Sequence, residues 1–150
     1  MKQFLLFSFL VVCGLAVSAQ SSKQVKWTFT AKKISDKTYE VHMTADINSK
    51  WHMYAQDAGD GPQPTAFNFT KNPLLSFDGN VKEVGQMKKV YEEAFKSEVR
   101  FYESSVNFVQ VVKVKGSAKT NLAGKVEFMV CDDKQCLPPS SVPFTINIGG

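Results

Sequence analysis

Cys131 and Cys136 sit in the segment Val126-Glu127-Phe128-Met129-Val130-Cys131-Asp132-Asp133-Lys134-Gln135-Cys136-Leu137-Pro138-Pro139. In an oxidising compartment two cysteines at this spacing are expected to pair, and the disulfide is then either a staple or a reagent. Three features favour the reagent. Loop entropy assigns about 2 kcal/mol to so small a ring, near the low end for disulfides. A chain of this length buries enough apolar surface to fold without a staple. Val126, Phe128 and Val130 share one face of an extended strand, so alternation puts Cys131 on the opposite face with Glu127 and Met129, where the sulfur is reachable. One feature opposes them: Asp132 and Asp133 disfavour a thiolate at Cys131, and Lys134 offsets only part of that. Nor is this a Cys-X-X-Cys at a helix N-terminus, where the dipole lowers the thiol pKa. Such a pair exchanges slowly with random thiols and faster with a docked partner. Most exported disulfides are structural, so from residue chemistry alone exchange and staple stand level.

Other chemistries find less support. A zinc site built from Cys131, Cys136, His42 and His52 is off the usual ligand spacing and lacks a second ligand cluster. No Ser-His-Asp arrangement or phosphate-cradling Gly-rich loop appears, which sets aside hydrolase and nucleotide readings. No cofactor is implied. The formal net charge is +4, but the basic doublets Lys32-Lys33 and Lys88-Lys89 have acids close behind them, so no basic face marks a nucleic-acid binder. Glu92-Glu93 reads first as a solvated face. His42 lies between Val41 and Met43 and reads as an exposed strand residue; His52 follows Trp51 and could approach the cysteines. Trp27, Trp51, Phe67, Phe69 and Phe144 read as core.

The elements that must position the cysteines begin after a leader. Lys2, an apolar run over residues 4–17 and Val17-Ser18-Ala19 read as a signal peptide over residues 1–19, cut after Ala19. Lipid attachment through Cys13 is the alternative. The run is shorter than the roughly 20 residues a helix needs to cross a bilayer. Residues 20–150 then form one exported domain, with no membrane span and the expectation of a monomer. Val25, Trp27, Phe29 and Ala31 alternate with polar residues, and Tyr39, Val41, Met43, Ala45 and Ile47 repeat the pattern. Further strands are expected over 51–54, 65–69, 99–102, 106–115, 125–131 and 142–148, separated by turns at 35–37, 57–64, 78–80 and 115–124. Seven or more short strands with regular punctuation indicate an all-β, antiparallel sandwich. The distant cysteine pair of antibody domains is absent. Residues 87–100 carry Met87, Val90, Tyr91, Ala94 and Phe95, a spacing that fits a short helix or an ordered loop.

Cys131-Asp-Asp-Lys-Gln-Cys136-Leu-Pro-Pro139 resembles the active-site hairpin of the N-terminal periplasmic domain of the thiol–disulfide interchange protein DsbD, where a Pro-Pro pair closely follows two cysteines. Trp51-His-Met-Tyr54-Ala-Gln56, then Gly61-Pro62 and Pro64-Thr65, resembles that family's first core motif and the loop after it. Glu92-Glu93-Ala94-Phe95-Lys96-Ser97-Glu98-Val99 resembles its cap loop. The likeness runs from about Val25 to Ile148, with the motifs in order, and assigns residues 87–100 to a loop.

The resemblance implies an immunoglobulin-like sandwich with a cap loop over a cysteine hairpin. It also implies a protein-disulfide reductase type of thiol–disulfide oxidoreductase in the periplasm or an equivalent exported space. A thioredoxin-like donor reduces the pair, which then reduces exported disulfide-containing proteins or isomerases. By position, Cys136 forms mixed disulfides and Cys131 resolves them; Phe95 shields the oxidised pair, with Tyr54, Glu92 and Glu93 beside it. Two departures stand out: the best-known members have one more residue between the cysteines, and no membrane conduit or thioredoxin-like domain follows Gly150. A stand-alone domain fed by another protein is therefore expected. The competing reading is a non-catalytic exported binding module whose disulfide pins a hairpin.

Overall fold

The computed structural model describes residues 21–117 and 119–149. The leader, its cut after Ala19 and Cys13 lie outside the described residues. Among these residues a helical turn, α1 (Ser21–Gln24), leads into nine strands: β1 (Val25–Ser35), β2 (Thr38–Ile47), β3 (His52–Gly59), β4 (Ala66–Phe69), β5 (Leu75–Glu92), β6 (Ser97–Val114), β7 (Thr120–Phe128), β8 (Val130–Cys131) and β9 (Ser140–Ile148). Among the described residues, one sheet runs β1-β2-β6-β3-β8 with β5 also on β6, and a second runs β4-β7-β9; all pairings are antiparallel.

Alternation explains why the sheets stack. Tyr39, Val41, Met43, Ala45 and Ile47 of β2 are all buried, as are Val106, Phe108, Val112 and Val114 of β6. From the second sheet, Leu122, Val126, Phe128, Phe144, Ile146 and Ile148 join them in one apolar cluster. Trp27 is wedged between the layers, with ring centroids 5.5 Å from Phe128, 5.9 Å from Phe108 and 6.1 Å from Phe67. The expected immunoglobulin-like antiparallel sandwich is what the chain forms.

Several expectations are corrected. Residues 87–100 are not a loop: β5 runs to Glu92, β6 starts at Ser97, and only a tight turn joins them, closed by Phe95 N–H to Glu92 O (3.2 Å) and Lys96 N–H to Glu93 O (3.3 Å). The helix-like spacing has a local cause. Met87, Val90 and Tyr91 are all exposed, so no buried face imposes a period of two on them, although the ladder from Met87 to Glu92 runs unbroken against β6. Asp78-Gly79-Asn80 belongs to a bulge within β5, with Gly79 at φ 71°, and is not a turn between strands. Residues 99–102 and 106–115 belong to the single strand β6, bent where Ser104 has φ 64°. The turn expected over 115–124 ends earlier, because β7 begins at Thr120 and carries Gly124 inside it. A Cβ on Gly124 would lie 2.6 Å from Asn68 O and 2.9 Å from Phe144 Cζ, so this close approach needs glycine.

β6 pairs with β5 over most of its length, with β2 along its second half and with β3 along its first. After β7 the chain leaves the second sheet at Met129 and enters the first as β8, against β3. That crossing places the cysteines between β3 and the tip of the β5–β6 hairpin.

Candidate functional site

Local geometry makes the cysteine hairpin before the disulfide does. Leu137 N–H donates to Val130 O and Asp132 N–H donates to Gln135 O, both at 2.9 Å. Cys131 and Cys136 therefore form the non-hydrogen-bonded pair of a short antiparallel ladder, with Cα atoms 4.0 Å apart, and are joined by a disulfide. The intervening turn is built by Asp132, whose Oδ1 accepts from the N–H groups of Lys134 and Gln135 at 2.8 Å each. The Lys134 bond, helped by that from Gln135, holds the Asp132 carboxyl below its usual range against partial desolvation.

The two sulfurs differ sharply in access. Cys131 is 2% exposed, whereas Cys136 is exposed. This corrects the expectation of a reachable Cys131. Alternation holds, since Val126, Phe128 and Val130 face the main core, but the opposite face is also covered. Met129 and Cys131 pack there with Tyr54, Ala58, Val99 and Phe101 in a second apolar cluster.

Tyr54 is fully buried at the centre of that cluster. Its hydroxyl lies 3.1 Å from Glu92 Oε2, 3.2 Å from Cys131 Sγ and 3.3 Å from His52 Nε2. Burial first, and then the Glu92 charge, push the Tyr54 hydroxyl pKa well above its ordinary value, so it stays a proton donor. Glu92 Oε1 also stands 3.4 Å from His52 Nε2.

The expected site residues come together unevenly. Cys131, Cys136 and Glu92 converge on one open cleft of about 490 Å³, with Tyr54 buried behind Cys131; Glu93 and Ala94 also line the cleft. Phe95 is half-buried in the hairpin turn, edge-on to Tyr54 at 6.0 Å, and packs on the cluster that holds Cys131. Its ring rests on Gly61, where a Cβ would come within 2.6 Å of Phe95 Cδ1. The Ser97 hydroxyl donates to Asp60 O and ties the turn to the same loop.

Two neighbours were not assigned from sequence. His52 is the cross-strand partner of Cys131, and its ring lies tilted against Phe101 with the centroids 4.4 Å apart. The signal was present: His52 and Tyr54 are two apart in one strand, so a period of two sends both to the same face. Phe101 gave no such signal, because only the pairing of β3 with β6 brings it near. His42, expected to be exposed, is half-buried on the far half of the sheet, with Nδ1 3.0 Å from Asn107 Nδ2.

A family model described as thiol:disulfide interchange protein DsbD, N-terminal, matches residues 17–147. No curated protein matches the chain in sequence. Among solved structures, the N-terminal periplasmic domain of ScsB from Proteus mirabilis aligns with a TM-score of 0.58 at 16% identity, covering 84% of this chain and 46% of that one. The DsbD N-terminal domain of Neisseria meningitidis in its reduced form aligns with a TM-score of 0.58 at 17% identity, covering 86% of this chain and 89% of that one. The chain thus spans less than half of the ScsB structure, and at these identities the likeness is one of fold. The family match extends over nearly the whole chain, from residue 17 into β9, and includes the cysteine hairpin and every residue of the cleft; the chain belongs to the family of DsbD N-terminal domains.

Proposed function

We propose that this domain is an exported thiol–disulfide exchange protein that passes reducing equivalents from a thioredoxin-like donor to disulfide-containing proteins or isomerases through Cys131 and Cys136. The observation that carries this is the asymmetry of the pair, one sulfur at 2% exposure under a tyrosine and the other exposed at a cleft rim. Exchange depends on which sulfur a partner can reach, and here only Cys136 is accessible to form the mixed disulfide, leaving Cys131 to resolve it. In the reduced protein the Cys136 thiolate attacks a client disulfide, forms a mixed disulfide and expels one client thiolate. Cys131 then loses its proton, attacks Cys136 Sγ and expels the second client thiolate, leaving the client as dithiol and the domain as disulfide. Removal of residues 1–19 would deliver residues 20–150 to an oxidising space; the ScsB relative is described as periplasmic. Tyr54 and Glu92 hold the oxidised pair from inside, while Glu93 and Phe95 belong to the turn that covers it. The acidic rim of Glu92, Glu93, Asp132 and Asp133 favours partners with a basic face.

The test is trapping with oxidised glutathione together with a reduction potential. Cys131→Ser is expected to accumulate a glutathione adduct on Cys136, and Cys136→Ser to leave Cys131 unmodified, both read by mass spectrometry. A midpoint between about −180 and −270 mV fits an exchange protein. A midpoint below about −300 mV, or equal labelling of the two single variants, marks a structural bond and overturns the assignment.

A further inference from the structure

Resolution by Cys131 requires its thiol to lose a proton, yet that sulfur is 2% exposed and shielded from solvent bases. Burial without a positive neighbour keeps a thiol protonated. The Tyr54 hydroxyl lies 3.2 Å from Sγ, and behind it stands His52 Nε2 at 3.3 Å. We propose, resting on the exchange reading above, that His52 is the positioning residue that drains the Cys131 proton through the Tyr54 hydroxyl during resolution.

In that step, with the imidazole proton on Nδ1, Tyr54 takes the proton of Cys131 while giving its own to His52 Nε2. The freed sulfur attacks Cys136 Sγ, and the client thiolate leaves. His52 then returns its proton to solvent or to the leaving thiolate, so the charge balances without any further reactant. The ring is held for this task by Phe101, 4.4 Å away, and by an edge contact with Tyr54 at 5.3 Å. The groups facing it are Glu92 on β5, Glu103 on β6, and Asp132 and Asp133 of the cysteine turn. Burial is the largest influence and lowers the His52 pKa, against the four carboxylates that raise it, so the ring is neutral and able to accept near neutral pH. Glu92 also touches the Tyr54 hydroxyl, but a carboxylate is much less basic than an imidazole and a poorer match to a thiol.

The experiment follows decay of a preformed Cys136–glutathione mixed disulfide in the full chain, quenched with acid and weighed, across pH. In the wild type the first-order rate is expected to be flat above the His52 titration and to fall below it. In His52→Gln resolution is expected to slow about 100-fold near neutrality, with the adduct accumulating. Its rate should rise about tenfold per pH unit throughout, as free thiolate does. Glu92→Gln should keep the inflection and move it to lower pH, because the charge that raises the His52 pKa is gone. Added imidazole should restore part of the rate in His52→Ala, and circular dichroism checks that each variant folds. A wild-type pH profile in a folded His52→Gln, or an inflection removed by Glu92→Gln instead, overturns the inference and leaves the exchange reading standing. A wild-type chain that neither forms nor resolves the adduct overturns both.

Discussion

Asp132 shapes and charges the site with one carboxylate. Its Oδ1 satisfies two N–H groups of the cysteine turn, and those bonds hold its pKa below the ordinary carboxylate value. A group depressed in the folded state contributes stability that is complete above its unfolded pKa and is lost as pH falls through the lower folded value. The hairpin is therefore expected to loosen only in strong acid, below the usual carboxylate range. Asp132→Asn keeps an acceptor oxygen and should abolish that acid dependence while leaving the neutral melting temperature nearly unchanged. Asp132→Ala removes the acceptor and should lower the melting temperature at every pH and speed reduction of the disulfide. Thermal melts across pH, with and without dithiothreitol, check both; equal melting curves for Ala and Asn would show that the turn does not depend on this oxygen.

The β5–β6 hairpin is the element that makes a cleft out of a sheet edge. Its two long strands carry the turn out to the cysteines, and its tip is held by Phe95 against Tyr54 and by the backbone around Gly61. Gly61 has φ 115°, a conformation that L side chains rarely adopt, and any Cβ there would strike the Phe95 ring. Gly61→Ala should therefore displace the turn and leave the sandwich intact. The expected result is severalfold faster reduction of Cys131–Cys136 by dithiothreitol, with strand content unchanged by circular dichroism. Phe95→Ala should act in the same direction. If neither variant alters the reduction rate, the hairpin tip does not shield the pair.

Across the whole molecule, the main core and the buried cysteine occupy different apolar clusters. The large cluster lies between the sheets around Trp27, Phe108 and Phe128, and the small one around Tyr54 contains Cys131. Phe108 is fully buried, so Phe108→Ala should cost about 3–5 kcal/mol in denaturant unfolding. The double variant Cys131→Ser/Cys136→Ser closes no ring in the unfolded chain and should cost about 2 kcal/mol or less while keeping its strands. A double variant that fails to fold would return the disulfide to the role of staple.

The sequence by itself determined the strands whose alternation is unbroken, such as Val41-Met43-Ala45 in β2, and the local pairing of Cys131 with Cys136. It also fixed the sandwich class, because period-two patterning needs only the pleat of a strand to be expressed. What failed were segments where a bulge or an exposed face hides the period: Asp78-Gly79-Asn80, a bulge, looked like a turn, and Met87, Val90 and Tyr91, all exposed, looked like one face of a helix. Only the tertiary structure decided which sulfur is reachable. That depends on β8 leaving one sheet for the other and on a hairpin from residues 75–114 lying over the face that alternation had left open. Burial is a property of what covers a face, and the covering strands lie far from the cysteines in the chain.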